Sequence, residues 1–265
     1  MRCRGAQTCE SQAHLGRADL NPETMLSPMS SSPLKTKIFA DGAAIKEILE
    51  FAADKRIRGF TTNPTLMREA GVLDYAEFAS ELLLHVGDRP ISFEVFADEP
   101  KEMHRQARII SSWADNVFVK IPITTTKGET LIPLVHDLSS SGVMVNVTAV
   151  FTLDQVERAT EALSGGAASY ISIFAGRIAD TGRDPLPIVA EAVEIMKASP
   201  DTECIWSSPR EVLNLIQANS VGCHIITMTR GLLDKLGTIG KDLDQYSLET
   251  VEMFNRDATL AKYSL

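Results

Sequence analysis

Residues 116–122 read Asn116-Val117-Phe118-Val119-Lys120-Ile121-Pro122. If this apolar run is a strand, side chains alternate between its two faces, so Asn116, Phe118 and Lys120 point one way while Val117 and Val119 point the other. Lys120 then stands on a face shared with an aromatic ring at the end of an apolar run. An ammonium buried against apolar walls loses hydration and gives up its proton more easily, which frees an amine able to attack a carbonyl and form a Schiff base. The alternative is an exposed strand-end lysine in a surface ion pair.

Runs of the same kind recur on both sides of this one. They are Lys37–Ala40, Gly59–Thr62, Ile91–Val95, Val143–Thr148, Tyr170–Phe174, Glu203–Trp206 and Ile225–Thr229. Helical patterns fill the gaps, with Ala44-Ile45, Ile48-Leu49 and Ala52 at helix spacing, then Tyr75, Phe78-Ala79 and Leu82-Leu83, then Val156, Ala159 and Leu163. Thr152 and Asp184 stand where N-caps belong, and Pro185 suits a first helical turn. Eight strand-helix alternations predict an α/β chain folded as a (β/α)8 barrel, the TIM-barrel architecture. An open doubly wound sheet is the alternative, although neither G-x-G-x-x-G after a first strand nor G-x-x-x-x-G-K-[ST] occurs.

The strand ends carry the polar residues. From Asp41, the positions Asn63, Glu94, Lys120, Thr148, Ser172, Trp206 and Thr229 follow at intervals of 22, 31, 26, 28, 24, 34 and 23 residues, one βα unit each. Ser92 shares its parity with Glu94, Asn116 with Lys120 and Asn146 with Thr148, while the valines take the opposite parity. In a barrel the polar set faces the mouth at the carboxyl ends of the strands, where active sites are built.

The 265 residues, 44% hydrophobic, suffice for one domain of barrel or doubly wound type, or for two small domains. The net charge of -9 and pI near 5.1 give no reason to expect a nucleic acid or an anionic membrane as partner. No apolar run is long enough for a membrane-spanning helix. Cys3, Cys9, Cys204 and Cys223 form no CxxC pair, and His14, His85, His104, His136 and His224 lack metal-ligand spacing, so neither a disulfide framework nor a metal site is expected. A reducing cytoplasm is the simplest compartment. Residues 1–36 have the composition of a disordered extension, with Met25 and Met29 as alternative starts, and residues 37–265 are expected to hold the barrel and a C-terminal helix.

On sequential strands Glu94 and Lys120 are neighbours, and Asp41 adds a second carboxylate. Two carboxylates around one lysine fit imine chemistry, one serving water and the carbinolamine, the other a hydroxyl proton as a C–C bond breaks. The pair could instead only close the barrel mouth. At this point the chain resembles the transaldolase family, specifically its compact transaldolase and fructose-6-phosphate aldolase members. The matching motifs are Phe39-Ala40-Asp41, Thr61-Thr62-Asn63-Pro64, Phe93-Glu94-Val95, Val119-Lys120-Ile121-Pro122, Asn146-Val147-Thr148 and Ser172-Ile173-Phe174-Ala175-Gly176-Arg177-Ile178.

The resemblance implies that Lys120 is the Schiff-base lysine, that Asp41 is the acid-base at the hydroxyl next to the cleaved bond, and that Glu94 with Thr148 holds a catalytic water. It implies that Asn63, Asn146 and Ser172 bind the hydroxyls of a dihydroxyacetone unit and that Thr61 shapes the pocket. Because the imine is the electron sink, no cofactor or metal is implied. Arg177 and Arg210 would grip a sugar phosphate, assisted by a helix beginning near Ser208. Over Trp206-Ser207-Ser208-Pro209-Arg210 the chain departs from the family's Ser-Phe-Arg, leaving either Ser208-Pro209-Arg210 or a slipped register. Thr227 and Thr229 would line the pocket or only satisfy it. A helix over Ser247–Ala261 would dock on another subunit of a homo-oligomer, as in ring-forming relatives. The implied activity is transfer of a dihydroxyacetone unit between sugar phosphates of the sedoheptulose 7-phosphate and fructose 6-phosphate type, as in the pentose phosphate pathway. The alternatives are an aldolase that releases dihydroxyacetone and an inactive sugar-phosphate-binding protein.

Overall fold

The computed structural model describes residues 34–263. Eight parallel strands close in sequential order into a barrel. They are β1 (Lys37–Asp41), β2 (Ile57–Thr61), β3 (Ile91–Glu94), β4 (Val117–Pro122), β5 (Val145–Val150), β6 (Ser169–Ile173), β7 (Thr202–Trp206) and β8 (Ile225–Thr229), with β8 pairing back onto β1. The open doubly wound sheet is thereby ruled out. The helices between them are α1 (Ile45–Ala53), α2 (Pro64–Glu69), α3 (Tyr75–Val86), α4 (Pro100–Ser111), α5 (Ile132–Ser140), α6 (Leu153–Leu163), α7 (Ala175–Asp180), α8 (Leu186–Met196), α9 (Leu213–Ser220) and α10 (Arg230–Leu233).

The alternation read from the sequence decides which side chains fill the cylinder. Phe39, Phe118, Tyr170, Ile205 and Ile225 form one buried cluster, with the rings of Phe118 and Tyr170 stacked at 4.0 Å and Phe39 edge-on to Tyr170 at 6.0 Å. Gly59 leaves the room that Phe39 needs, since a Cβ there would stand 2.5 Å from its ring. Two residues further along each strand from Phe39, Phe118, Tyr170, Ile205 and Ile225 come Asp41, Lys120, Ser172, Ser207 and Thr227. An apolar plug thus closes the barrel below a polar mouth. Residues of the other parity, among them Val117, Val119, Ile121, Val145, Val147 and Ile171, are buried in the larger apolar core they share with helix residues such as Leu82, Met103 and Val156.

Local signals start the helices. The Thr152 side chain accepts from the Gln155 amide in a capping box, and Asp74 accepts from Glu77 at the head of α3. Asp184 accepts from the Leu186 amide, but Pro185 is the cap, one residue later than the sequence suggested. The strand register is as important for the site: Asp41 pairs with Thr61 and Thr229, Glu94 with Lys120, and Lys120 with Asn146.

Among the described residues, those up to Ile239 form one compact unit and those from Gly240 another. The second contains α11 (Leu243–Ala261), capped by Asp242 through the Gln245 amide and four residues longer at its start than the sequence suggested. The expectation for residues 1–33 lies outside the described residues. Thr36, assigned by sequence to the extension, is buried, and its hydroxyl donates to the Cys223 carbonyl at 2.7 Å. No described helix is long and apolar enough to cross a membrane.

Candidate active site

At the carboxyl ends of the strands lies a cavity of about 520 Å³. Asp41, Thr61, Asn63, Glu94, Lys120, Thr148, Ser172, Arg177, Ser208 and Arg210 all line it. Lys120 is 7% exposed. Its Nζ stands 3.0 Å from Glu94 Oε2 and donates to the Thr62 carbonyl at 2.8 Å. The surface-lysine alternative is therefore excluded.

Asp41 enters from the end of β1, three strands around the barrel from β4. Burial raises its carboxyl above the ordinary carboxylate range, and the proximity of Glu94 pushes the same way; the Lys120 charge and a hydrogen bond from Thr61 offset part of this. The Thr61 hydroxyl donates to Asp41 Oδ1 at 2.8 Å. With that proton committed, Thr227 donates to Thr61 Oγ1 at 2.5 Å, so a residue of β8 orients the partner of Asp41.

Thr148 contributes a different feature. Its hydroxyl is buried yet has no hydrogen-bond partner among the described residues. The next residue, Ala149, has φ 59°, a left-handed conformation costly for any residue with a Cβ, and the register with β6 shifts at this place. A residue held in such a conformation costs about 1–3 kcal/mol, and Ala149 lines the cavity.

Asn146 differs from the other candidates. It is fully buried and does not line the cavity. Its Oδ1 accepts from the Ser172 hydroxyl at 2.7 Å, and its Nδ2 donates to Ser92 Oγ at 3.0 Å. It therefore tethers Ser172, which does face the cavity. Asn63 caps α2 by accepting from the Leu66 amide at 3.0 Å, with Pro64 in the first turn, so one side-chain oxygen is engaged in the fold while the residue lines the mouth.

The two arginines are not equivalent. Arg177 is exposed, with its guanidinium 5.6 Å from the Phe174 ring centroid, and it makes no ion pair among the described residues. Arg210 lies in a fork on Asp180, with Nε to Oδ1 at 2.9 Å and Nη2 to Oδ2 at 2.5 Å. The expected helix at Ser208 is absent; α9 begins at Leu213, and the Asn214 side chain takes the amides of Arg210 and Glu211 instead. Ser207 continues the parity of Ile205, and Ser208 turns out of the strand at φ 58°. Gly176 is what permits this turn, because a Cβ there would stand 1.5 Å from the Ser208 carbonyl oxygen.

A statistical description of the Transaldolase/Fructose-6-phosphate aldolase family matches residues 38–264. The chain belongs to this family. "Probable transaldolase" of Methanococcus maripaludis (strain C7) is 36% identical over 201 residues, 76% of this chain and 89% of that protein. "Probable transaldolase" of Thermoanaerobacter sp. (strain X514) is 37% identical over 193 residues, covering 72% and 85%, and "Probable transaldolase 2" of Listeria monocytogenes is 35% identical over 201 residues, covering 76% and 88%. Among solved structures, KGPDC from Streptococcus mutans superposes with a TM-score of 0.53 at 13% identity over 77% of this chain and 92% of that one, a likeness of fold alone. Two features of this family member had no recognisable signal in the sequence. One is the Thr62 carbonyl, since every residue has one. The other is Tyr75, which reads only as an apolar position on α3 yet contacts the Glu94 peptide with its hydroxyl.

Proposed function

We propose that the chain is a class I transaldolase that moves a dihydroxyacetone unit between sugar phosphates through an imine on Lys120. The observation that carries this reading is the buried Lys120 amine, held between the Glu94 carboxylate at 3.0 Å and the Thr62 carbonyl at 2.8 Å on the floor of a polar cavity. Glu94 takes a proton from Lys120, and the amine attacks the ketose carbonyl. Loss of water from the carbinolamine, with Glu94 returning the proton and the Thr148 hydroxyl holding the water, leaves a protonated imine.

Asp41 then removes the proton of the hydroxyl carried by the far carbon of the bond to be broken. That C–O bond becomes a carbonyl as the C–C bond breaks, and its electron pair flows to the imine nitrogen to give an enamine. The aldose phosphate leaves with its new aldehyde. An acceptor aldehyde takes the enamine carbon, its oxygen recovers the proton from Asp41, and hydrolysis of the imine releases the new ketose. A carboxyl raised by burial is a stronger base than an ordinary one, which suits Asp41 to a hydroxyl proton. Asn63 and Ser172 would bind the hydroxyls of the three-carbon unit, with Asn146 fixing Ser172. Arg177 would take the phosphate, with Arg210 available only on leaving Asp180. No metal or organic cofactor is needed by this sequence of steps.

Incubation with fructose 6-phosphate and borohydride, followed by peptide mass mapping, should place a reduced adduct on Lys120. Failure to trap an adduct with any ketose phosphate would leave a binding protein without turnover. Product analysis with and without erythrose 4-phosphate then separates transfer from release of dihydroxyacetone.

The reading extends to a homo-oligomer. Leu248, Val251 and Phe254, at helical spacing on α11, are 52%, 60% and 63% exposed, which supports docking on another copy. Truncation after Tyr246 should lower the sedimentation coefficient, and an unchanged value would remove this part.

A further inference from the structure

Parallel strands bond through alternate residues of each strand. Between β2 and β3 the Phe60 amide donates to the Pro90 carbonyl at 2.8 Å and the Thr62 amide to the Ser92 carbonyl at 3.1 Å. Continued by one rung, the ladder would join the Glu94 amide to the Thr62 carbonyl and an amide at position 64 to the Glu94 carbonyl. Residue 64 is proline, which has no N–H, and the chain turns there into α2. The Tyr75 hydroxyl occupies the missing rung. It accepts from the Glu94 amide at 2.8 Å and donates to the Glu94 carbonyl at 3.0 Å.

This substitution changes what Thr62 can do. With the Glu94 amide bonded to Tyr75, the Thr62 carbonyl accepts from Lys120 Nζ instead. The two groups that hold the lysine amine, the Glu94 carboxylate and the Thr62 carbonyl, therefore both depend on one phenol. The phenol itself is fixed by its ring, which meets Trp113 edge-on at 5.5 Å and Phe93 at 6.0 Å. Burial raises its pKa, so it stays protonated and able to donate.

We propose that Tyr75 is a positioning residue for Lys120: by capping the Glu94 peptide in place of a strand, it aims the Glu94 carboxylate at the amine and releases the Thr62 carbonyl to hold it. This rests on the imine reading above and deepens it. Tyr75→Phe removes the hydroxyl and keeps the ring. The rate of borohydride-trapped imine formation on Lys120, measured against pH with fructose 6-phosphate, should fall at least tenfold and its pH profile should shift, with KM within about twofold of the unaltered protein. An unchanged rate and profile in Tyr75→Phe would overturn the proposal. An unaltered protein that traps no adduct would instead remove the imine reading, and this proposal with it. If Tyr75→Phe does not fold, hydrogen exchange of the Glu94 amide in the unaltered protein decides: protection supports the bond to Tyr75, and exchange at the rate of a free loop amide refutes it.

Discussion

Arg210 and Asp180, thirty residues apart in the chain, close a two-bond fork beside the cavity, while Arg177 in the same wall makes no ion pair among the described residues. If Arg177 is the phosphate ligand, its loss removes charge-assisted hydrogen bonds worth about 1.5–3 kcal/mol, so Arg177→Ala should raise KM for a phosphorylated ketose about 10- to 150-fold. The same variant should change KM for the unphosphorylated sugar little. Arg210→Ala should have the smaller effect of the two. Steady-state kinetics on both sugars would show the reverse order if Arg210 leaves Asp180 to bind substrate.

Asp41→Asn should stabilise the fold at neutral pH while sharply slowing turnover. Because the folded carboxyl is raised above its ordinary value of 3.8, the native state binds the proton more tightly than the unfolded chain does. The ionised carboxylate is therefore a liability that is fully present above the raised pKa and vanishes as pH falls below 3.8. The unfolding midpoint should rise by about 2–4 °C for each kcal/mol recovered, most at pH 7 and least near pH 4. Removing a general base should lower kcat about 10²- to 10⁴-fold. Thermal unfolding across pH that showed Asp41→Asn less stable at neutral pH would contradict the burial effect.

Thr148→Val separates a hydroxyl's catalytic use from its structural use. A buried hydroxyl without a partner costs about 1–3 kcal/mol, so the near-isosteric valine should leave stability unchanged or improve it by about 1 kcal/mol. If Thr148 holds the water of imine formation, trapping on Lys120 should slow. Urea unfolding and borohydride trapping, run on the same preparation, test the two halves independently.

Gly176→Ala tests how tightly α7 meets the loop after β7. Helix propensity favours alanine by up to about 1 kcal/mol, but the new methyl would stand 1.5 Å from the Ser208 carbonyl oxygen. Backbone must move, and overpacking of this kind costs about 1–3 kcal/mol or more. Net destabilisation is expected, together with weaker binding of phosphorylated sugars because Ser208 and Arg177 flank the displaced segment. Chemical denaturation and KM measurements check both effects.

Much of the architecture was legible because strand alternation is a local property with a period of two. Phe118 and Lys120 on one face and Val117 and Val119 on the other told which end of β4 was wet before any neighbour was known. The same logic placed Asp41, Glu94, Thr148 and Ser172 at one rim. It failed at Ser208, where a left-handed residue made possible by Gly176 breaks the parity and postpones the expected helix to Leu213. It also said nothing about depth, so Asn146 passed for a residue at the mouth although it is buried and bonded to Ser92 and Ser172.

By itself, then, the chain's order of apolar and polar residues determined eight strand-helix units with a lysine and two acids at strand ends, since period and parity need only neighbours in sequence, while closure of the sheet into a cylinder rests on the pairing of β8 with β1. Only the tertiary structure decided which partners those groups take: Asp180 for Arg210, the Thr62 carbonyl for Lys120 and the Tyr75 hydroxyl for Glu94. Those choices follow from hydrogen-bonding groups that strand ends leave open and from side chains distant in sequence that reach them, which no local pattern records.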